Sequence, residues 1–289
     1  MSKLRKAMEK ARTSRDIQVS EAINYKEEAP RPAPGFEPQP AVGRELQPAV
    51  RREPQPALKR EEVNPAYSRT RLQEATPRVL KKNKVVAFFQ GNAIADNLKI
   101  LQTQVLARLD KLGGNAVMVT SANLGEGKTL TAVNLAVSMA RELDRTVLFV
   151  DADLRKPTVH KVLGLKTSRG LSDYLLKEAE IPDLLVNPGM QKLVVLPAGR
   201  PISQSSELLG SPRMEELVKE FRDRYPERVI IFDTPPILKS ADALAFSRFM
   251  DGILVVVEVE KTRREEVKRV FELLDGKPLL GTVLNKTRA

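Results

Sequence analysis

The chain has 289 residues, 42% of them hydrophobic, and a formal net charge of +11, which allows one sizeable domain or two small ones. With no cysteine and a single histidine, His160, it excludes a disulfide framework, thiolate zinc, multi-histidine metal sites and histidine-based triads. Its longest apolar runs, VVAFF at 85–89 and ILVVV at 253–257, fall far short of the ~20 residues of a membrane-spanning helix, so the chain reads as cytosolic or membrane-peripheral.

The charge is unevenly spread. Residues 1–86 hold 19 Lys/Arg against 11 Asp/Glu, whereas residues 87–289 hold 29 against 26. A basic tail suits anionic lipid, an acidic partner or nucleic acid. The near-neutral remainder, with 4% aromatic residues overall, speaks against a specific nucleic-acid reader.

In chain order, residues 1–20 come first. There Leu4, Ala7, Met8 and Ala11 recur at helical spacing among lysines and arginines, which predicts a short basic amphipathic helix. Residues 21–84 follow as a linker. Ten of the twenty prolines lie between Pro30 and Pro77, and the few large apolar side chains there cannot offset the entropy of ordering, so this stretch is expected to be disordered. It contains an octapeptide repeat, QPAVGREL from Gln39, QPAVRREP from Gln47 and QPALKREE from Gln55, with a degenerate copy from Arg31; this reads as a semi-rigid spacer or docking array, or as filler expanded by slippage.

Residues 85–289 are expected to form the folded domain. A helix is predicted over Asn97–Lys111, with Leu98, Leu101, Val105, Leu109 and Leu112 on one face. Apolar runs at 116–120, 146–150, 192–196, 228–232, 252–259 and 279–284 then alternate with helical stretches beginning at Thr129, Ser205, Ser240 and Thr262. Continuous apolar strands alternating with helices predict an α/β doubly wound, mainly parallel sheet with ligands at the carboxyl ends of its strands, and the loop after the first long strand makes it one of P-loop NTPase type.

The strand at 116–120 runs into SANLGEGKT, Ser121 to Thr129, and then into a helix, as a phosphate-binding loop requires. Gly125, Glu126 and Gly127 would wrap backbone N–H groups around phosphates, Lys128 would reach the β/γ oxygens and Thr129 would ligate Mg²⁺. Ala122 replaces the first glycine of the strict pattern. TVLFVDADLRKP places Asp151 and Asp153 at a strand end, and VIIFDTPP places Asp233 at another. Each acid alone could be a helix cap or a turn former; together, beside a phosphate loop, they suit a Mg²⁺ site.

The set S-x-x-x-G-E-G-K-T, D-x-D-x-R (Asp151, Asp153, Arg155) and D-T-P-P resembles the Walker A, A′ and B motifs of bacterial tyrosine kinases, over roughly Ile94–Lys286. The opening MSKLRKAMEKA is similar to the exosortase-associated branch of exopolysaccharide systems. The resemblance implies an ATP- and Mg²⁺-dependent tyrosine autokinase that regulates exopolysaccharide or capsule synthesis and export. In that reading Lys128, Asp151 and Asp153 are catalytic, Thr129, Asp151, Asp153 and Asp233 serve the metal, and Asn285 touches the base. It implies as partners a separate membrane-anchored polysaccharide co-polymerase adaptor and further copies of the chain, at the inner face of the plasma membrane.

Three departures stand out. The family's terminal tyrosine cluster is missing, the last tyrosine being Tyr225, which leaves Tyr25 and Tyr67 as candidate phosphoacceptors. Asp96, Lys99 and Gln102 stand where the family's oligomerisation helix carries E-x-x-R-x-x-R, and Gln204–Ser205 replace an asparagine-proline pair. Two other readings remain open from the residues: a switch ATPase of the partitioning or septum-placement type, and a nucleotide-binding adaptor without catalysis. The first habitually has a lysine early in the phosphate loop, where Ala122 and Asn123 stand.

Overall fold

A computed structural model describes residues 70–287 apart from 90, 143 and 226. The basic amphipathic segment 1–20, the octapeptide repeats, Tyr25 and Tyr67 lie outside the described residues. Eight strands form one sheet: β1 (Arg71–Leu72), β2 (Ala116–Ser121), β3 (Thr146–Asp151), β4 (Val186–Asn187), β5 (Leu193–Leu196), β6 (Arg228–Asp233), β7 (Gly252–Glu258) and β8 (Leu279–Asn285). Their order is β1-β4-β5-β3-β6-β2-β7-β8, and every neighbouring pair is parallel except β4–β5.

The central strands are apolar throughout because both of their faces are covered. Side chains alternate between the faces. Met118, Leu148, Val150, Ile230, Phe232, Ile253 and Val255 pack against one helical layer, built from Pro212–Arg224, Ala241–Ser247 and Arg264–Leu273. Val117, Val119, Val147, Phe149, Val229, Ile231, Leu254 and Val256 pack against the other. That layer contains α1 (Pro77–Lys82), α2 (Ala93–Leu112), α3 (Lys128–Met139) and α4 (Val159–Leu163). Each fully buried Leu, Val or Phe stabilises the fold by about 1.5–3 kcal/mol relative to exposure.

Three expectations need correction. The folded region starts well before residue 85: β1 pairs with β4 (Arg71↔Val186), and Leu80 in α1 is wholly buried. The proline density that suggested a linker extends to Pro77, but Pro77 sits in the first turn of α1, where a missing N–H costs nothing. The helical stretch from Ser205 is two helices, α7 (Ser205–Leu209) and α8 (Pro212–Arg224); Ser211 caps the second, its hydroxyl accepting from the Met214 N–H at 3.3 Å. α5 (Leu171–Leu175), α6 (Ile181–Leu184), α9 (Ala241–Ser247) and α10 (Arg264–Leu273) complete the set. α2 begins four residues before the predicted Asn97 because Asn92 caps it, its Oδ1 accepting from the Ala95 N–H at 2.8 Å.

Candidate active site

Sheet register brings the motifs together. β6 lies between β3 and β2, with Asp151 opposite Asp233 and Val119 opposite Asp233. The loop after β2 therefore opens onto two strand ends that each finish in a fully buried carboxylate.

The loop is shaped by glycine and held by side chains remote in sequence. Gly127 has φ 92°, and a Cβ there would collide with Asn285 Nδ2. Asn285 at the end of β8 donates from Nδ2 to the Glu126 carbonyl at 2.9 Å, and Lys286 Nζ donates to the Gly125 carbonyl at 2.7 Å. The buried Glu126 side chain accepts from the Asn123 N–H at 2.9 Å and from the Thr262 hydroxyl at 2.5 Å. Glu126 and Asn285 thus brace the loop by their side chains.

At the mouth of the loop lies an ion cluster. Lys128 Nζ is 3.0 Å from Asp153 Oδ2, 3.5 Å from Asp233 Oδ1 and 3.1 Å from Thr129 Oγ1. The Thr129 hydroxyl donates to Asp233 Oδ2 at 2.6 Å. Burial would pull the Lys128 ammonium down, but Asp233, Asp153 and Asp151 outweigh it and hold the lysine above its ordinary pKa. Burial raises Asp233, against the opposing pull of Lys128 and Thr129. Asp233 Oδ1 is buried and accepts no hydrogen bond. A buried carboxylate oxygen in that condition is costly unless a cation meets it, and here the Lys128 ammonium stands 3.5 Å away.

Thr129 Oγ1 and Asp233, beside a lysine and a glycine loop, fit the small share of ligands that Mg²⁺ takes from protein in nucleotide sites, phosphate oxygens and water completing the octahedron. Among the described residues no group of three or more His, Cys, Asp or Glu could by itself hold a metal ion.

Asp151 departs from the metal-binding expectation. Its Oδ1 accepts from the Asp153 N–H at 3.2 Å, and its Oδ2 accepts from the N–H groups of Thr158 (3.2 Å) and Val159 (3.1 Å). Both oxygens are thus engaged in shaping residues 152–159. Burial and then the Asp233 carboxylate push Asp151 well above the usual carboxylate range. Asp153 keeps Oδ1 on the Lys156 N–H at 3.0 Å and turns Oδ2 to Lys128.

One residue escaped the sequence reading. Asp242, fully buried in α9, accepts from Arg155 Nε at 3.2 Å to both oxygens and from the Ser206 hydroxyl at 2.6 Å, and also from the hydroxyls of Ser205 and Ser240. The hydroxyls and Arg155 overcome the opposing effect of burial and lower its pKa. Arg155, two positions after Asp153, is thereby tied to α7 and α9, and Ser205 of the Gln204–Ser205 departure finds its partner. The only signal for Asp242 was its place two residues after an N-capping serine.

With this geometry, a family profile described as AAA domain matches residues 115–276. The tyrosine-protein kinase YwqD of Bacillus subtilis is 41% identical over 172 residues, 59% of this chain and 71% of that protein. The succinoglycan biosynthesis transport protein ExoP of Rhizobium meliloti is 35% identical over 199 residues, 66% of this chain but 24% of that protein. The kinase domain of the Escherichia coli tyrosine kinase ETK superposes with a TM-score of 0.65 at 27% identity, covering 71% of this chain and 82% of that domain. The chain belongs to the bacterial tyrosine-protein kinases, a family of P-loop enzymes built on an AAA-type domain.

Proposed function

We propose that the chain transfers the terminal phosphoryl group of ATP to tyrosine hydroxyls on further copies of itself, as part of the control of polysaccharide synthesis and export. The observation that carries this reading is the Lys128 ammonium held between Asp153 and Asp233 at the mouth of a glycine loop. The Pγ–O bond to ADP breaks as the tyrosine oxygen bonds to phosphorus, and Asp153 takes the hydroxyl proton. Lys128 follows the charge that moves onto the bridging oxygen, and the backbone N–H groups of 125–129 orient the phosphates. Thr129 and Asp233 would hold Mg²⁺, which would supply charge neutralisation at the phosphates. Asp151 acts by fixing the loop that carries Asp153.

Tyr25 and Tyr67 are the proposed acceptors, and residues 85–289, extended back to β1, the proposed kinase domain. The partner is a separate membrane-anchored adaptor of a polysaccharide assembly system, which brings the enzyme to the inner face of the plasma membrane. In support, ExoP is named for succinoglycan biosynthesis transport and is several times longer than the matching segment.

The test is incubation of the full chain with ATP and Mg²⁺ beside Lys128→Ala, with phosphotyrosine mapped by mass spectrometry and free phosphate read in the same tube. Phosphate on Tyr25 or Tyr67 that falls by about 100-fold or more in the variant is expected. Free phosphate without phosphotyrosine would refute the kinase reading.

A further inference from the structure

The loop that carries Asp151 and Asp153 forms one wall of a second cleft, of about 640 Å³, closed on its other sides by α4, residues 167–168 and residues 199–201. Arg155, Lys156, Lys161 and Arg200 line it, with His160, and no carboxylate does. Arg155 is paired with Asp242 and Arg200 with Glu178, but Lys156 and Lys161 have no carboxylate partner among the described residues. The cleft adjoins the chemistry: the Lys156 N–H is bonded to Asp153 Oδ1 at 3.0 Å and the Thr158 N–H to Asp151 Oδ2 at 3.2 Å. This concavity, two of whose four basic side chains lack a carboxylate partner among the described residues, shares a wall with Asp153 and lies apart from the glycine loop that holds the nucleotide phosphates.

The chain itself carries a match in charge. Residues 16–28, DIQVSEAINYKEE, contain Asp16, Glu21, Glu27 and Glu28 against Lys26 alone, an acidic island in a basic tail. Tyr25 sits inside it. Tyr67 has Glu61 and Glu62 nearby but also Lys59, Arg60, Arg69 and Arg71. We propose that this cleft is the docking site for an acidic, tyrosine-bearing peptide, and that its occupant is the segment 16–28 of a second copy of the chain. The inference rests on the kinase reading for its consequence: it selects Tyr25 over Tyr67 as acceptor. The glutamates at 27 and 28 meet Lys156 and Lys161, so the cleft recognises charge next to the tyrosine and leaves the hydroxyl to Asp153.

The experiment mixes an enzyme carrying Tyr25→Phe and Tyr67→Phe with a full-length Lys128→Ala acceptor and reads phosphate on the acceptor against its concentration. Lys161→Glu in the enzyme is expected to raise KM for the acceptor by about tenfold, with kcat and ATP hydrolysis unchanged. An acceptor with Glu27→Lys and Glu28→Lys should be poor for the wild-type cleft and recover on Lys161→Glu, an outcome that a merely structural role of Lys161 would not produce. An unchanged KM, a loss without recovery, or phosphate on Tyr67 ahead of Tyr25 overturns the proposal. If no tyrosine is modified by any enzyme, it is the kinase reading that fails. Docking is then decided by fluorescence anisotropy of a labelled 16–28 peptide with the full-length Lys128→Ala protein. About tenfold weaker binding when Lys161→Glu is added, reversed by the lysine-substituted peptide, upholds the site. Equal or absent binding overturns it, as does displacement by phosphatidylserine vesicles but not by unlabelled peptide.

Discussion

Asp242 has no exposed surface and yet remains an anion, because Arg155 and three serine hydroxyls meet its oxygens. Asp242→Asn leaves the guanidinium without its charge partner and reverses one acceptor. A loss of about 1–3 kcal/mol is expected, read as a fall of several degrees in Tm. The pH dependence has a fixed sign. The folded pKa lies below the ordinary 3.8, so the stability this group contributes is fully present above 3.8 and is lost as pH falls toward the folded value. Denaturant midpoints measured between pH 6 and pH 3 should therefore converge for wild type and variant as the solution becomes acidic. Gly127 calls for a different measurement. With φ 92° and Asn285 Nδ2 occupying the space a methyl group would need, Gly127→Ala must move either the loop or β8's last residue. Nucleotide affinity by calorimetry is expected to fall at least about tenfold while the melting transition stays cooperative.

Asn134 links two elements. From inside α3 its Oδ1 accepts the Ala87 N–H at 2.9 Å, and its Nδ2 donates to the carbonyls of Lys84 (3.1 Å) and Leu130 (2.9 Å). The segment after α1 is thus fastened to the helix that starts at the phosphate loop. Asn134→Ala orphans a buried N–H and should cost about 1–3 kcal/mol, concentrated locally. Hydrogen exchange at residues 84–89 should accelerate more than at β2 or β6; uniform acceleration would show that the segment is not held by this residue. Five of the six longer strands were legible in sequence because unbroken apolar runs have one economical use, a strand covered on both faces, while the edge strand β8, partly exposed, was legible from its apolar run alone. β1 and β4 were not, since two residues apiece carry no pattern and exist by virtue of the partner they pair with. Short helices such as α4 and α5 escaped for the same reason: their ends are dictated by tertiary contacts, as when Asn83 donates to the carbonyls of Lys161 and Val162.

For the whole molecule, the site is assembled from stretches far apart in sequence, with Thr129 bonded to Asp233 and Glu126 to Asn285. Residue type and strand context pointed to Thr129 and Asp233, and the family resemblance alone pointed to Asn285, as a base contact; neither could reveal that Asn285 would bond the Glu126 carbonyl or that Asp151 would spend both oxygens on its own loop, since that depends on where Thr158 and Val159 return. Because the site closes the whole sheet end, nucleotide should report on global stability. At 100 times its Kd, Mg²⁺–ATP is expected to add about 2.7 kcal/mol and raise Tm by about 5–10 °C, a shift that Lys128→Ala should abolish in differential scanning calorimetry.

The pairing of Lys128 with Asp153 and Asp233 has a consequence for what the enzyme accepts. Asp153 and Asp233 share one ammonium, so a bare polyphosphate would arrive beside like charges and would have to pull the lysine from partners it already has. The same nucleotide carrying a divalent ion brings its own replacement counter-charge for the acids the lysine deserts. Metal and nucleotide are then expected to bind cooperatively, each tightening the other by the same factor, which calorimetric titration of ATP with and without Mg²⁺ would read.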